Sequence, residues 1–321
     1  MERGDMSVNG RCRLRVLSPG LAASLQDTGR LGLGAFGVPP SGPLDELSFT
    51  LANALVGNPI GATALEFSLV GPRLLVEGAP CVIAVCGDAR VEINGEESDA
   101  YRSHWLEPGD RLSLPRLRSG ARGYLAIAGG FTARSSLGSR ATLLRAGLGG
   151  LDGRCLAAGD LLKAQETAAR HRMRRCDRLL PQRDRRPIRV VPGPQHDYFA
   201  PEQRERWLAS EYRIGAASDR MGYRLEGPPI QCVAGHNIVS DAIATGSIQV
   251  PGSGEPIIAM HDRQSTGGYP KIATVIRADL IRLGQLAPGD RLGFEAVSVE
   301  QGEDIWRGRS RELARLLERL A

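Results

Sequence analysis

The 321-residue sequence carries 41 basic and 36 acidic residues, a net charge of +5, with 40 Gly, 20 Pro and only 5% aromatics. A chain of this length buries enough surface for about two domains, so its stability needs neither a disulfide framework nor a structural metal. Sparse aromatics argue against a base-stacking surface for single-stranded nucleic acid. No apolar run reaches the roughly 18 residues of a membrane span, and the start, MERGDMSVNG, has no apolar signal segment. A cytoplasmic protein is expected, beginning at Met1 or at Met6.

Abundant Gly and Pro favour turns and short strands over long helices. The first polar, glycine-rich block runs from Ser24 to Asn58 and contains Gln26, Asp27 and Arg30. Asp27 and Arg30 read as ligand contacts or as a buried pair tying the loop down. The block ends in a predicted helix over Asp45–Gly57, where Leu47, Leu51, Ala54 and Leu55 form the apolar stripe and Gly57 the stop. Asp45 stands at the N-cap position, available for capping or for chemistry. RLLVEG, CVIAVCG, RLSLP and GYLAIAGG follow as short predicted strands. In CVIAVC the offset of five puts Cys81 and Cys86 on opposite faces. None of the six cysteines makes a Cys-x-x-Cys pair or zinc spacing with a histidine, so free thiols and no metal cluster are expected. The turn GSRAT carries Ser139 and Arg140, and backbone amides in such a turn can hold an anion or a developing oxyanion.

Between Arg170 and Arg189 nine Arg stand against Asp177 and Asp184, a local excess larger than the whole chain's net charge. This reads as a solvated linker or as a phosphate-binding arm. A second helix is predicted over Glu202–Ser210, with Pro201 in its first turn. The block SDRMGYRLEG brings Asp219 and Arg220. The richest block, Gly246–Ile276, contains Gln249 and crowds Asp262, Arg263, Gln264, Ser265, Thr266, Tyr269 and Lys271 into ten positions between apolar strands. Loops carry function, and solvation alone does not explain so dense a polar set. Lys271 and Lys163 are the only lysines, and an amine offers chemistry that a guanidinium does not. Leu313, Leu316, Leu317 and Leu320 mark a helix over Ser310–Leu320. EPGDRLSL at Glu107 returns as APGDRLGF at Ala287, and VLSPG at Val16 is echoed by VPG near Val190. The pattern predicts two related β-rich lobes, 10–165 and 187–300, joined by an Arg-rich linker, 166–186, and followed by a C-terminal helix within 301–321.

In order along the chain, SLQDTGR, GVPPSGPLD, ANALVGN, LEFSLVGP, YLAIAGG, GSRAT, SDRMGYRLEG, SIQVPGSGEPII, DRQSTGGYPKIATVI and LAPGDRLGF resemble the subunit 2 family of biotin-dependent carboxyltransferase-like proteins, also called allophanate hydrolase subunit 2. These blocks cover Leu14 to Phe294. That family includes the carboxyltransferase part of urea carboxylase, the C-type subunit of bacterial 5-oxoprolinase and an antagonist of a kinase inhibitor. The sequence departs from the family pattern at Pro43-Leu44, Ala141 and Ser265. The resemblance implies a mainly β fold of two linked cyclophilin-like β-barrel lobes with a few short helices.

It also implies a hydrolase subunit of an ATP-dependent 5-oxoprolinase, opening a lactam to glutamate in a hetero-oligomer. The partners would be a smaller subunit 1 or kinase-inhibitor-like protein and a third oxoprolinase subunit. The sequence has no G-x-x-x-x-G-K-[ST] loop, so ATP is expected in a cleft shared with those partners. One alternative is a biotin-dependent carboxyltransferase acting on urea or a related amide. The chain has no Met-Lys-Met site, so biotin would be carried by another protein. Another alternative is a non-catalytic regulator of a histidine-kinase inhibitor. For catalysis the candidates are Asp45, Asp262 and Lys271. Substrate binding falls to Gln26, Asp27, Arg30, Asn53, Ser139, Arg140, Asp219, Arg220, Gln249, Gln264, Thr266 and Tyr269.

Overall fold

The computed structural model describes residues 11–165, 173–177 and 186–320. The expected start at Met1 or Met6 lies outside the described residues, as does most of the Arg-rich segment. The chain divides into two compact units, one of Met1–Thr28, Leu47–Leu179 and Leu320–Ala321, the other of Gly29–Glu46 and Leu180–Arg319.

The first unit contains β1 (Arg13–Ser18), β2 (Ser24–Gln26), β3 (Ala64–Ser68), β4 (Arg73–Glu77), β5 (Cys81–Cys86), β6 (Val91–Ile93), β7 (Glu96–Ser98), β8 (Ser103–Leu106), β9 (Arg111–Ser113), β10 (Arg122–Ile127) and β11 (Leu161–Lys163). They form a six-stranded sheet in the order β11-β1-β4-β9-β6-β7 and a five-stranded sheet in the order β2-β3-β10-β5-β8. Strand alternation builds the core: Leu14 and Val16, Leu65 and Phe67, Leu74 and Val76, Ile83 and Val85, Leu125 and Ile127 all join one cluster. Both faces of β5 and β10 are buried, which is why CVIAVC and RGYLAI are nearly continuous apolar runs. Residues of α1 (Glu46–Leu55) pack within this unit, with Phe49 edge-on to Tyr124 of β10 at 6.1 Å. All six cysteines are free thiols. The described part of the Arg-rich run, 173–177, lies along β8, where Ser103 N–H donates to the Arg174 carbonyl at 2.9 Å and Cys176 N–H to that of Tyr101 at 2.8 Å.

The second unit contains β12 (Ile188–Pro192), β13 (Tyr212–Ile214), β14 (Gly222–Glu226), β15 (Asp241–Ala242), β16 (Ser247–Gln249), β17 (Ile257–Ala259), β18 (Thr266–Gly267), β19 (Lys271–Val275), β20 (Arg291–Leu292) and β21 (Phe294–Ala296). Eight of them form one sheet in the order β20-β13-β14-β17-β16-β19-β12-β21, and β15 pairs with β18. The two outer strands, β20 and β21, are separated by Gly293 alone, so one short segment bonds to both β13 and β12 and nearly closes the sheet into a barrel. Three helices accompany it: α2 (Pro201–Leu208), α3 (Arg277–Gly284) and α4 (Val299–Leu320). Arg189, last of the Arg-rich run, is paired here with the buried Asp279 at 2.6 Å. The closing helix begins eleven residues before the predicted Ser310. Gly302 and Gly308 interrupt the leucine stripe, and the early turns are held instead by the Arg277 guanidinium over Trp306 at 4.3 Å and by Arg309 donating to the Ala278 carbonyl.

One turn is built three times. In Glu107–Asp110, Ala157–Asp160 and Ala287–Asp290 the third residue is a glycine at φ +98°, +89° and +93°, and the aspartate carboxylate accepts the first residue's N–H at 2.7–2.9 Å. Each turn then exchanges two backbone hydrogen bonds with one strand residue, Val76, Val16 and Ile214 respectively. The middle copy lacks the proline and escapes a search on Pro-Gly-Asp. Among the described residues no helix is long and apolar enough to cross a membrane.

Candidate functional site

In the first unit, polar candidates gather where β2 meets the GSRAT turn. Asp27 is 7% exposed and its carboxylate accepts from Ser139 Oγ at 2.5 Å, Arg140 N at 2.5 Å and Ala141 N at 3.2 Å. The anion held by this turn is therefore the protein's own, and the amides expected to receive a substrate oxyanion are already occupied. Thr142 Oγ1 and N–H both donate to the Leu25 carbonyl, and Gln26 Nε2 bonds Ser24 Oγ at 3.0 Å and the Thr142 carbonyl at 3.3 Å. These bonds fix the turn to the sheet and leave the Arg140 side chain exposed. Asn53 is fully buried: its amide donates to the Ala62 carbonyl at 3.0 Å and accepts from Asn58 at 2.9 Å, tying the end of α1 to the following loop. Sequence reasoning passed over Glu66 and Tyr124, partners across β3 and β10 whose side chains meet at 2.6 Å in the interior. The signal was present: a charged residue between Leu65 and Phe67 on a buried strand.

In the second unit, Lys271 opens β19. It is 2% exposed, and its Nζ donates to Asp241 Oδ2 at 2.9 Å. A register shift between Ile248 and Gln249 sets Gln249 opposite Lys271, the kind of bulge that re-aims side chains beside active sites. Gln195 clamps the strand end: its Oε1 accepts the Lys271 N–H at 3.2 Å, and its Nε2 reaches Asp241 Oδ2 at 3.5 Å. Gly193 makes this possible, because a Cβ there would lie 2.1 Å from the Lys271 carbonyl oxygen. Asp241 is half-exposed on β15, and its hydrogen bond from Lys271, with a further one from the Ala242 amide, holds its carboxyl below the usual range.

Two features give this cluster unspent binding capacity. An ammonium has three N–H donors, and only one on Lys271 has an acceptor among the described residues. Gln249 Nε2 is also buried with no hydrogen-bond partner. Gly267 leaves the room: a Cβ there would lie 2.8 Å from Gln249 Nε2 and 2.6 Å from Ile243 Cδ1. Arg263 donates Nε to the Ile243 carbonyl at 2.8 Å while its Nη1 is buried without a partner, and burial lowers its pKa. Buried donors without acceptors are uncommon, and together these suit oxygen atoms bearing negative charge. Thr266, Gln264 and Tyr269 are exposed on the same loop, Thr266 in β18 against Ala242 of β15.

The remaining candidates have other duties. Both oxygens of Asp262 are taken by Arg220, at 2.9 and 3.2 Å, and Arg220 donates also to the Gly42 carbonyl at 2.7 Å. A carboxylate gripped on both oxygens by a guanidinium is a poor general base, so the proton-taking duty expected of Asp262 does not fit this geometry. Asp45 is fully buried and accepts from Gln285 Nε2 at 2.6 Å. Ser41 N–H donates to the His261 carbonyl, and these bonds fasten segment 29–46 within the second unit. Arg30, 2% exposed, bonds the Pro40 carbonyl through its N–H. Asp219 caps a turn, accepting from Met221 N at 2.7 Å. Asp241, Gln195 and Gln285 carried no signal in the sequence, because each becomes significant only through a partner 30 or more residues away. Among the described residues no group of three or more His, Cys, Asp or Glu is placed to hold a metal ion.

A model of the carboxyltransferase domain, subdomain A and B, matches residues 36–296, from the loop before α1 to the end of β21. The chain belongs to this family. Like other carboxyltransferase-domain proteins, it is similar to the C-type subunit of the Haemophilus influenzae 5-oxoprolinase, 38% identical over 89% of this chain and 91% of that one. The corresponding subunit of Escherichia coli is 35% identical over 90% and 92%. Among solved structures, the K. lactis urea amidolyase superposes with a TM-score of 0.87 at 32% identity, over 96% of this chain. The chain spans one-fifth, 20%, of that larger protein. The carboxyltransferase-domain architecture accounts for the mainly β fold of both units.

Proposed function

We propose that the chain is the C-type subunit of a cytoplasmic, ATP-dependent 5-oxoprolinase that opens the lactam to glutamate, and that its reactive centre is the Lys271–Asp241 pair. The observation that carries the chemistry is a buried ammonium with two N–H donors unspent, flanked by the unpaired amide of Gln249. Opening a lactam builds negative charge on its carbonyl oxygen, and preorganised donors in a water-poor site are worth most where charge develops. Lys271 receives that oxygen or a phosphate oxygen of ATP. Asp241 orients the ammonium in the resting site and, being half-exposed, turns away as substrate oxygens replace it. Gln195 sets the position of both. What supports the choice of substrate is near end-to-end likeness to the C-type subunits of two 5-oxoprolinases.

ATP and the remaining groups come from a smaller subunit 1 or kinase-inhibitor-like partner and a third subunit. A second reading, carboxyl transfer to a urea-like amide, is favoured by the likeness to urea amidolyase. Biotin would supply carboxyl transfer there. Neither lysine of this chain stands in a Met-Lys-Met attachment sequence, so the group would arrive on another protein. Gln249 and Lys271 are the residues suited to hold its ureido oxygen.

Co-expression with the neighbouring genes, followed by assays of ATP with 5-oxoproline and of ATP, bicarbonate and urea with a biotin carrier, separates the readings. The proposal expects glutamate release from the complex and none from the chain alone. Release from the isolated chain, or urea carboxylation without 5-oxoproline turnover, overturns it. Unchanged turnover in Lys271→Met with intact complex formation favours a binding regulator instead.

A further inference from the structure

In the second unit, between α2 and strands β12, β19 and β21, lies a half-open cleft of about 250 Å3 that none of the chemistry above uses. Strands β12 and β19 give it Val190, Pro192, Ile272 and Ala273. From α2, Arg204 and Leu208 line it four positions apart on one helical face, beside Trp207. Its walls are therefore apolar except along the helix.

That helical wall is where hydrogen bonding is incomplete. Trp207 is 4% exposed and tilted against Phe294 with ring centroids 4.8 Å apart, yet its indole N–H, a donor only, has no acceptor. Arg204 Nε is buried without a partner as well, and among the described residues its guanidinium has no ion pair. Glu205, also on the cleft, is exposed, so solvent screens its charge. An apolar recess with a cation and an unsatisfied N–H on one wall has the features of a small-ligand site: apolar lining and few convergent polar groups.

We propose that this cleft binds a small carboxylic acid with a compact apolar body. A volume of 250 Å3 equals about eight water molecules at roughly 30 Å3 each, which limits the ligand to about eight to ten non-hydrogen atoms. The carboxylate meets Arg204 and the indole N–H, and the apolar body lies on Pro192, Ile272 and Ala273. The site does not depend on the reaction proposed for Lys271.

Benzoate and its neutral isostere benzamide test it on the full-length chain, by titration calorimetry and by Trp207 emission. Benzoate is expected to bind saturably below about 10 mM and benzamide at least tenfold more weakly, a difference of about 1.4 kcal/mol. Arg204→Gln is expected to erase that preference. Ala296→Trp, which fills the cleft from an exposed rim position, is expected to abolish binding of both while leaving the melting temperature unchanged. No saturable benzoate binding by the native chain, equal affinity for benzamide, or binding that survives Ala296→Trp overturns the proposal.

Discussion

Replacing Asp262 by Asn removes the negative charge facing the Arg220 guanidinium. The two side chains are 5% and 11% exposed and make two hydrogen bonds, so the arginine is left charged in a place that water scarcely reaches. Breaking a buried pair by removing one partner costs about 3–5 kcal/mol. Arg220 keeps its bond to the Gly42 carbonyl, which argues for the lower end, about 3 kcal/mol. At about 2–4 °C per kcal/mol for a unit of this size, the melting temperature should fall by about 6–12 °C. The double variant Arg220→Met/Asp262→Leu leaves no orphaned charge and should recover to within about 1 kcal/mol of the native chain, since apolar replacement of a buried pair is often neutral. Scanning calorimetry measures the stability. Turnover of the reconstituted complex, assayed well below the lowest melting temperature, should change by less than about tenfold, the effect of 1.4 kcal/mol on a barrier. An unchanged melting temperature with turnover lost a hundredfold would refute the reasoning and return Asp262 to the chemistry.

Other expectations rest on single sites. Asp27→Ala orphans a hydroxyl and two amides in the GSRAT turn, at about 1–3 kcal/mol each before relaxation, and chemical denaturation should show a loss of at least about 2 kcal/mol. Gly193→Ala drives a methyl against the Lys271 carbonyl. It should lower turnover more than stability, seen by comparing rate with melting temperature. His104 is buried, and burial lowers its pKa from the ordinary 6.5, opposed by its bond to the Asp99 carbonyl. The unfolded chain then binds the extra proton, so this contribution to stability is present above pH 6.5 and is lost as pH falls toward the depressed value. Denaturation between pH 5 and 7 should be less pH-dependent in His104→Gln.

Much of the architecture was legible because local rules and tertiary packing agree. CVIAVC and YLAIAG are strands buried on both faces, and Asp45–Gly57 brackets a helix whose apolar stripe and glycine stop are plain in the sequence. The Pro-Gly-Asp turns announced two strand entries, while the third copy hid because glycine and aspartate, not proline, build the turn. The start of α4 was obscured by glycines whose helical setting depends on contacts with α3. The polar blocks did contain the clustered residues, but the blocks could not assign duties. Arg220 occupies Asp262 from 42 positions away, and Asp241 meets Lys271 from a stretch with no pattern of its own. Which carboxylate is gripped and which is accessible depends on the register of strands, and no spacing rule encodes that.

The most direct measurement is the turnover number of the reconstituted complex carrying Lys271→Met, with assembly checked by gel filtration. Loss of a preorganised charged donor predicts a fall of about 10²–10³ in kcat with assembly intact. Turnover within threefold of the native complex would contradict the account.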